Sequence, residues 1–300
     1  MSDLLTVRNL SKRFGDKRAL ADFDISLDKG RVHGLLGVNG AGKTTLIKIL
    51  TGVIPPDAGE ICYDGRPVGF AGEAHRRKIG YVPEDPFFYQ HMSVRRFLDF
   101  NAAFFPNWDR RRADHFLTRF SLSSREKIGG LSRGMKLKLG LLAALAQNPE
   151  LLILDDPTSG LDVPTRRDFL KDIIGEISEA GTTVLFATHL VHELERIVER
   201  VHLIDGGRRR WSENADELKA RTKLVRLFYD GAVPDQITAP SVLSVVREGS
   251  VVEAVVHPWE EGWERGLGGP PPLRVETDAM SLEDIFMAFI TPAAAKGESR

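Results

Sequence analysis

Apolar and polar positions alternate along the chain with two different periods, and the switch between them outlines the elements. Val32–Leu36 is a short apolar run ending at Gly37 and predicts a buried strand. Residues 42–52 then carry Leu46, Ile47, Ile49 and Leu50 on what would be one face of a helix. Ile79–Val82 predicts a further strand, stopped by Pro83. Strand-like runs return at 151–154, 184–187 and 201–204. Between the first two of these, Phe169, Ile173 and Ile177 recur every fourth residue, with Leu170 and Ile174 beside them and Gly181 as a stop. Strands alternating with helices imply a mostly parallel sheet covered by helices.

Two stretches break this rhythm. Residues 86–148 hold no clear strand and are aromatic and basic (Phe87, Phe88, Tyr89, Phe97, Phe100, Phe104, Phe105, Trp108), which predicts a helical insertion. Most of these rings are expected in its core, with some on a surface facing a partner. After about Ala215, residues 242–246 and Val251–Val256 read as strands around the turn Glu248-Gly249-Ser250. Gly268-Gly269-Pro270-Pro271-Pro272 reads as a loop and 281–290 as a short amphipathic helix. This end of the chain predicts a small α+β appendage.

Composition narrows the function classes. With 42% hydrophobic and 28% charged residues over 300 positions, a core of ordinary size can be buried. The 41 basic and 42 acidic residues leave a net charge of -1, so no basic surface dedicated to nucleic acid is expected. Cys62 is the single cysteine and excludes an intrachain disulfide. The N-terminus carries charges where a signal peptide needs an apolar core. The densest apolar stretch, 139–146, is far short of a membrane span and contains Gly140, so work at a membrane requires a partner that crosses it.

The chemistry is concentrated in a few short motifs. Gly37-Val38-Asn39-Gly40-Ala41-Gly42-Lys43-Thr44, continued by Thr45, matches G-x-x-x-x-G-K-[ST] between a predicted strand and a predicted helix. Its glycines let backbone N–H groups turn toward phosphate oxygens while the helix presents its positive end. Lys43 is expected on the β- and γ-phosphates and Thr44 on magnesium. Downstream, Leu151-Leu152-Ile153-Leu154-Asp155-Asp156 is an apolar strand ending in carboxylate, the Walker B pattern, with Asp155 as the magnesium ligand. ATP and Mg2+ are therefore the expected ligands.

Leu131-Ser132-Arg133-Gly134-Met135 lies shortly before that strand, and here the sequence resembles the ATP-binding cassette (ABC) family, whose signature reads L-S-G-G-Q. Phe14 matches the aromatic that stacks on adenine. Ser159-Gly160-Leu161-Asp162 matches the D-loop, and His189 matches the switch histidine. The motifs span roughly 4–207. The resemblance implies a head-to-tail dimer with a second ABC domain, homodimeric or heterodimeric, in which Ser132 and Gly134 reach nucleotide held by the partner cassette.

Three motifs depart from the family pattern, at four positions. Asp156 stands where a glutamate usually polarises the attacking water, and its carboxylate sits about 1 Å further back, a misplacement worth on the order of 100-fold in rate. Glu84 occupies the usual Q-loop glutamine position and can still bind magnesium or its water. Arg133 and Met135 replace two signature residues, while Ser132 and Gly134 are kept. These variants are similar to those of the drug, antibiotic and polysaccharide exporter branch.

The expected fold is a P-loop α/β ABC ATPase core at 1–215, with an antiparallel N-terminal sheet and a helical subdomain at about 86–148. A small C-terminal α+β domain is expected at 216–300. The expected function is the ATPase subunit of an ABC transporter, driving export through a separate integral membrane permease docked near Glu84 and the helical subdomain. Asp156, Glu84 and His189 are its expected catalytic residues. It would lie in the cytoplasm at the inner face of the membrane. The alternatives are a slow ATP switch paired with another cassette, or a non-transport ABC protein such as a cluster-assembly ATPase.

Overall fold

The structure is a computed structural model. It describes residues 2–291 except 71, 73, 74, 231, 232, 235, 236, 238, 240, 268 and 269. The chain divides into two units. One holds Met1–His189 and Arg200–Ser212, and the other Leu190–Glu199 and Glu213–Arg300.

The first unit opens with a hairpin of β1 (Asp3–Phe14) and β2 (Lys17–Asp28), turned at Gly15. β3 (Val32–Leu36), α1 (Lys43–Leu50), β4 (Ala58–Tyr63), β5 (Arg66–Pro67) and β6 (Ile79–Val82) follow. Strands β2-β1-β4-β5 form an antiparallel sheet whose alternating Leu5, Val7, Leu20, Phe23, Ile25 and Leu27 pack on Leu46, Ile47, Ile49 and Leu50 of α1. Each such side chain is nearly or wholly closed to solvent, worth roughly 1.5–3 kcal/mol in transfer free energy. Helices α2 (Val94–Ala102), α3 (Arg110–Arg119) and α4 (Arg133–Ala146) come next, capped by Ser93, Asp109 and Ser132, each accepting a backbone N–H of its first turn. The apolar stretch within 139–146 is the buried part of α4.

The chain then alternates through β7 (Leu151–Asp155), α5 (Val163–Ala180), β8 (Thr183–Thr188), β9 (Arg200–Asp205) and β10 (Arg208–Asn214). Gly181 ends α5 in the left-handed region. The second sheet runs β10-β9-β3-β8-β7-β6, with β9, β3, β8, β7 and β6 parallel. Every residue of β7 and β8 is buried, as a sheet covered on both faces requires. On adjacent strands, His33 of β3 and His202 of β9 are wholly buried and stacked, with Nδ1 of His33 3.1 Å from Nε2 of His202.

In the second unit, α6 (Val191–Leu194) and α7 (Ala215–Arg221) accompany an antiparallel sheet and a terminal helix. The strands are β11 (Lys223–Phe228), β12 (Val242–Glu248), β13 (Val251–Val256) and β14 (Arg274–Ala279), in the order β12-β13-β11-β14. Helix α8 (Leu282–Ile290) follows, capped by Ser281. One face of this sheet is closed by Val225, Leu227, Val252, Ala254 and Val256 with Trp259 and Trp263.

Three features of the fold were not read from the sequence. The arginines at 208–210 begin edge strand β10, with Arg210 paired to Asp205 at 2.7 Å. Strands β11 and β14 went unread because β11 follows α7 after Thr222 alone and β14 carries one large apolar residue, Val275; on their open face Arg226 pairs across strands with Glu253 and Asp278. The aromatics of 87–108 are mostly not core. Phe88 is buried, whereas Phe87, Tyr89, Phe100 and Phe104 are exposed.

Candidate functional site

The C-terminal ends of four consecutive strands supply the site. β6 leads to Glu84, β7 ends on Asp155 and hands the chain to Asp156, β8 leads to His189, and β3 leads to the phosphate loop. An open α/β sheet binds ligands at this edge, because the loops leaving its strands converge there. A cavity of about 230 Å³ opens at this edge, lined by Phe14, Asn39, Gly40, Gly42, Lys43, Thr44, Thr45, Glu84 and Asp156. Lys17 and Ala19 line it as well. Neither was anticipated; the signal available was their position just past the Gly15 turn, beside Phe14. Ala41 is buried behind the loop, its N–H on Val38 and its carbonyl on Gly207.

Gly42 sits at φ 116°, where a Cβ would come within 2.6 Å of the Ala19 carbonyl oxygen. Only glycine fits. It starts α1 without a side-chain cap, so the first N–H groups of the helix are left for a ligand. Lys43 is buried and its Nζ donates to the Gly37 carbonyl at 2.7 Å. Burial lowers its pKa, opposed by the charges of Asp156, Asp155 and Glu84. Phe14 is half-exposed, at 50%, on the cavity rim and therefore free to meet a flat ligand rather than forming core.

Asp155 is buried, and its carboxyl is pushed up to about 6, first by desolvation and then by the charge of Asp156; the Thr44 hydroxyl and Lys43 partly oppose this. Asp156 adopts φ 42°, a left-handed conformation that aspartate tolerates better than most residues. The bend is fixed by its N–H on Ala187 (2.8 Å) and by its carbonyl, which accepts from Ser159 (3.0 Å). His189 reaches the same carboxylate twice: its backbone N–H lies 3.2 Å and its Nδ1 3.0 Å from Oδ1. A carboxylate can only accept, so Nδ1 carries the proton. Both bonds fall on Oδ1, and neither uses Oδ2.

Ser132, Gly134 and Asp162 are brought to each other rather than to this cavity. Ser132 caps α4 through the Met135 N–H. A Cβ on Gly134 would lie 2.8 Å from Thr165 Cγ2, so that glycine permits α4 to approach the start of α5. Asp162 caps α5 by accepting the Thr165 N–H at 2.8 Å, which holds its carboxyl below the usual range. The Arg133 guanidinium lies against Gly160 of the intervening loop.

Fold and site together define a P-loop ATPase. The model described as "ABC transporter" matches residues 20–159, and one described as "AAA domain" matches 125–195. The daunorubicin resistance ATP-binding protein DrrA3 of Streptomyces coeruleorubidus is 39% identical over 73% of this chain and 70% of its own length. The Nod factor export ATP-binding protein I of Burkholderia lata is 37% identical over 93% of this chain and 94% of its own. A solved ATP-binding subunit of an ABC transporter superposes with TM-score 0.65 at 28% identity, over 72% of this chain and 92% of that one. The chain belongs to the ATP-binding proteins of ABC transporters. It is the subunit that binds and hydrolyses ATP for such a transporter, and the membrane-crossing permease is its family partner. No helix among the described residues is long and apolar enough to cross a membrane.

Proposed function

We propose that this subunit powers export through a separate permease and that its hydrolytic step is slow. The observation that carries the reading is the convergence of Lys43, Asp155, Asp156 and His189 on one strand edge, in a chain whose relatives are named for drug resistance and Nod factor export. Buried Asp155, with the Thr44 hydroxyl bonded to it and Glu84 nearby, is an all-oxygen set. Such a set fits Mg2+, which takes one or two protein oxygens and shares the rest with phosphate and water. When bound, that ion would neutralise charge on the phosphates.

The chain's own residues then divide the work. Phe14 offers a face to the adenine, and the loop N–H groups with Lys43 hold phosphate oxygens. Asp156 orients the attacking water and accepts its proton, while His189, protonated on Nδ1, holds the carboxylate in place. Glu84 sits on the rim and adds negative charge there, where the family's glutamine is neutral. The aspartate carboxylate stands further back than a glutamate would, which slows the step. Ser132, Gly134 and Asp162, at the α4–α5 junction, are proposed to meet nucleotide held by a second cassette, homodimeric or heterodimeric. Residues 1–215 are proposed as the motor and 216–300 as an accessory domain, with the whole subunit held at the inner membrane face by its permease.

The test is steady-state ATP turnover by the purified chain beside Lys43→Ala and Asp156→Glu. Turnover abolished in the first and raised in the second supports the reading. Wild-type turnover that survives Lys43→Ala would refute it.

A further inference from the structure

His189 is the last residue of the first unit before the chain passes into the second, and the short helix α6 begins two residues later. A four-residue helix has no stability of its own, so its position is set by what it packs on. Val191 and Leu194 are buried, as are Leu282 and Ile285 of α8 in the same unit. Glu195, which closes α6, accepts the backbone N–H of Leu282 on Oε1 at 3.2 Å. That N–H is one of the donors that the first turn of α8 leaves unpaired; the Ser281 hydroxyl satisfies another, from Asp284. The carboxylate thus stands at the positive end of α8, with Lys219 Nζ of α7 at 4.0 Å. One turn earlier, His192 lies 3.5 Å from Glu283. The segment directly behind His189 is fastened to α8 and α7 of its own unit.

We propose that Glu195 is a positioning residue for hydrolysis: by tying α6 to α8 it lets the C-terminal unit set how firmly His189 is held on Asp156. The link runs through the peptide chain, since the His189 backbone N–H is itself one of the two bonds to Oδ1 of Asp156. A change in α8 would loosen or tighten that bond without touching nucleotide. The kinetic consequence rests on the hydrolytic role proposed above, whereas the structural consequence does not.

The experiment therefore has two arms on the full-length chain, comparing wild type, Glu195→Ala and Glu195→Gln. Hydrogen exchange is read at the His189 and Leu282 amides, and turnover is read as kcat and KM. In Glu195→Ala the His189 amide is expected to exchange about tenfold faster, the scale of one hydrogen bond to a charged group. Its kcat should fall several-fold with KM unchanged, a split that general destabilisation would not give. Glu195→Gln keeps an acceptor oxygen and should restore most of both. Faster exchange at Leu282 with His189 still protected and kcat intact would overturn the proposal. If the alanine variant does not fold, Glu195→Asp keeps the charge, retracts the oxygen by one methylene and carries the same comparison. Absent turnover in wild type would speak against the hydrolytic reading alone, because the exchange arm decides this one.

Discussion

At the residue scale, two adjacent aspartates do different work because β7 buries one and a left-handed bend presents the other. Asp155 is closed off and its carboxyl raised to about 6, so its charge is held at a cost when no cation is present. The sign follows from proton counts. Between about pH 4 and 6 the folded chain binds more protons at this site than the unfolded chain, so stability falls as pH rises through that window. Asp155→Asn should abolish that slope and raise the stability of the nucleotide-free protein at pH 7.5, by up to about 3 kcal/mol for a shift of this size. It should also abolish magnesium-dependent ATP binding. Urea unfolding at several pH values checks this, and equal stability at pH 7.5 would refute the assignment. Asp156 makes the opposite case, since its carboxylate is paired with His189 and is the one proposed to act on water. Asp156→Glu should raise kcat by on the order of 10–100-fold with little change in KM, because a carboxylate moved by about 1 Å changes rate on that scale. Single-turnover kinetics measures this directly, and an unchanged or lower kcat would mean the aspartate is not the slow point.

At the element scale, β3 and β9 are joined by side chains that the hydrophobic pattern concealed. His33 and His202 occupy positions where a buried parallel strand ordinarily has aliphatic residues, and they satisfy part of each other's hydrogen bonding; His33 Nε2 also lies 3.2 Å from the Asp28 carbonyl. Burial, together with the charges of His33, Arg200 and Arg209, holds the His202 pKa well below its ordinary value. A depressed histidine contributes stability that is present above the unfolded value near 6.5 and is lost as pH falls below it. The double variant His33→Leu with His202→Leu should flatten the acid limb of the stability profile while matching wild type at pH 8, since replacing both partners leaves neither unsatisfied. Denaturant midpoints from pH 8 to 5 give the comparison, and an unchanged acid limb would place that sensitivity elsewhere. The same strands show how far pattern carried the reading. Runs such as 151–154 and 184–187 were legible because parallel strands are apolar throughout, and 37–45 because the loop demands glycine and lysine at fixed spacing. α6 was illegible, because four residues carry no period and their partners lie about ninety positions further on, at Leu282 and Ile285. β11 and β14 were hidden because β11 follows α7 after Thr222 alone and β14 carries one large apolar residue, Val275.

At the scale of the whole molecule, the helical region carries an exposed aromatic row. Phe87 is 86% exposed and Phe104 61%, and the rings run edge to face from Phe87 to Tyr89, Phe100 and Phe104 at 5.1–6.5 Å between centroids. Contiguous apolar rings left in water mark an interaction surface, since each could remove roughly 1.5–3 kcal/mol of exposure by burial. A cavity of about 450 Å³ is lined by Phe104, Phe105, Val53, Ile79 and Tyr81 together with Arg76 and Arg77. A lining of apolar and basic side chains suits a short amphipathic segment carrying acidic residues. The permease proposed above is the expected occupant. The row follows Glu84 closely in sequence, and Glu84 lines the phosphate cavity. The double variant Phe87→Ala with Phe104→Ala should bind ATP and turn it over in solution as wild type does, because neither ring touches the nucleotide cavity. Its affinity for the permease should fall by about 100-fold or more if the two rings are central anchors of that interface. Co-purification with the permease from detergent, beside turnover of the isolated subunit, separates the two effects. Retained co-purification would move the docking surface off the helical region, whereas joint loss of both activities would show that the rings support the fold.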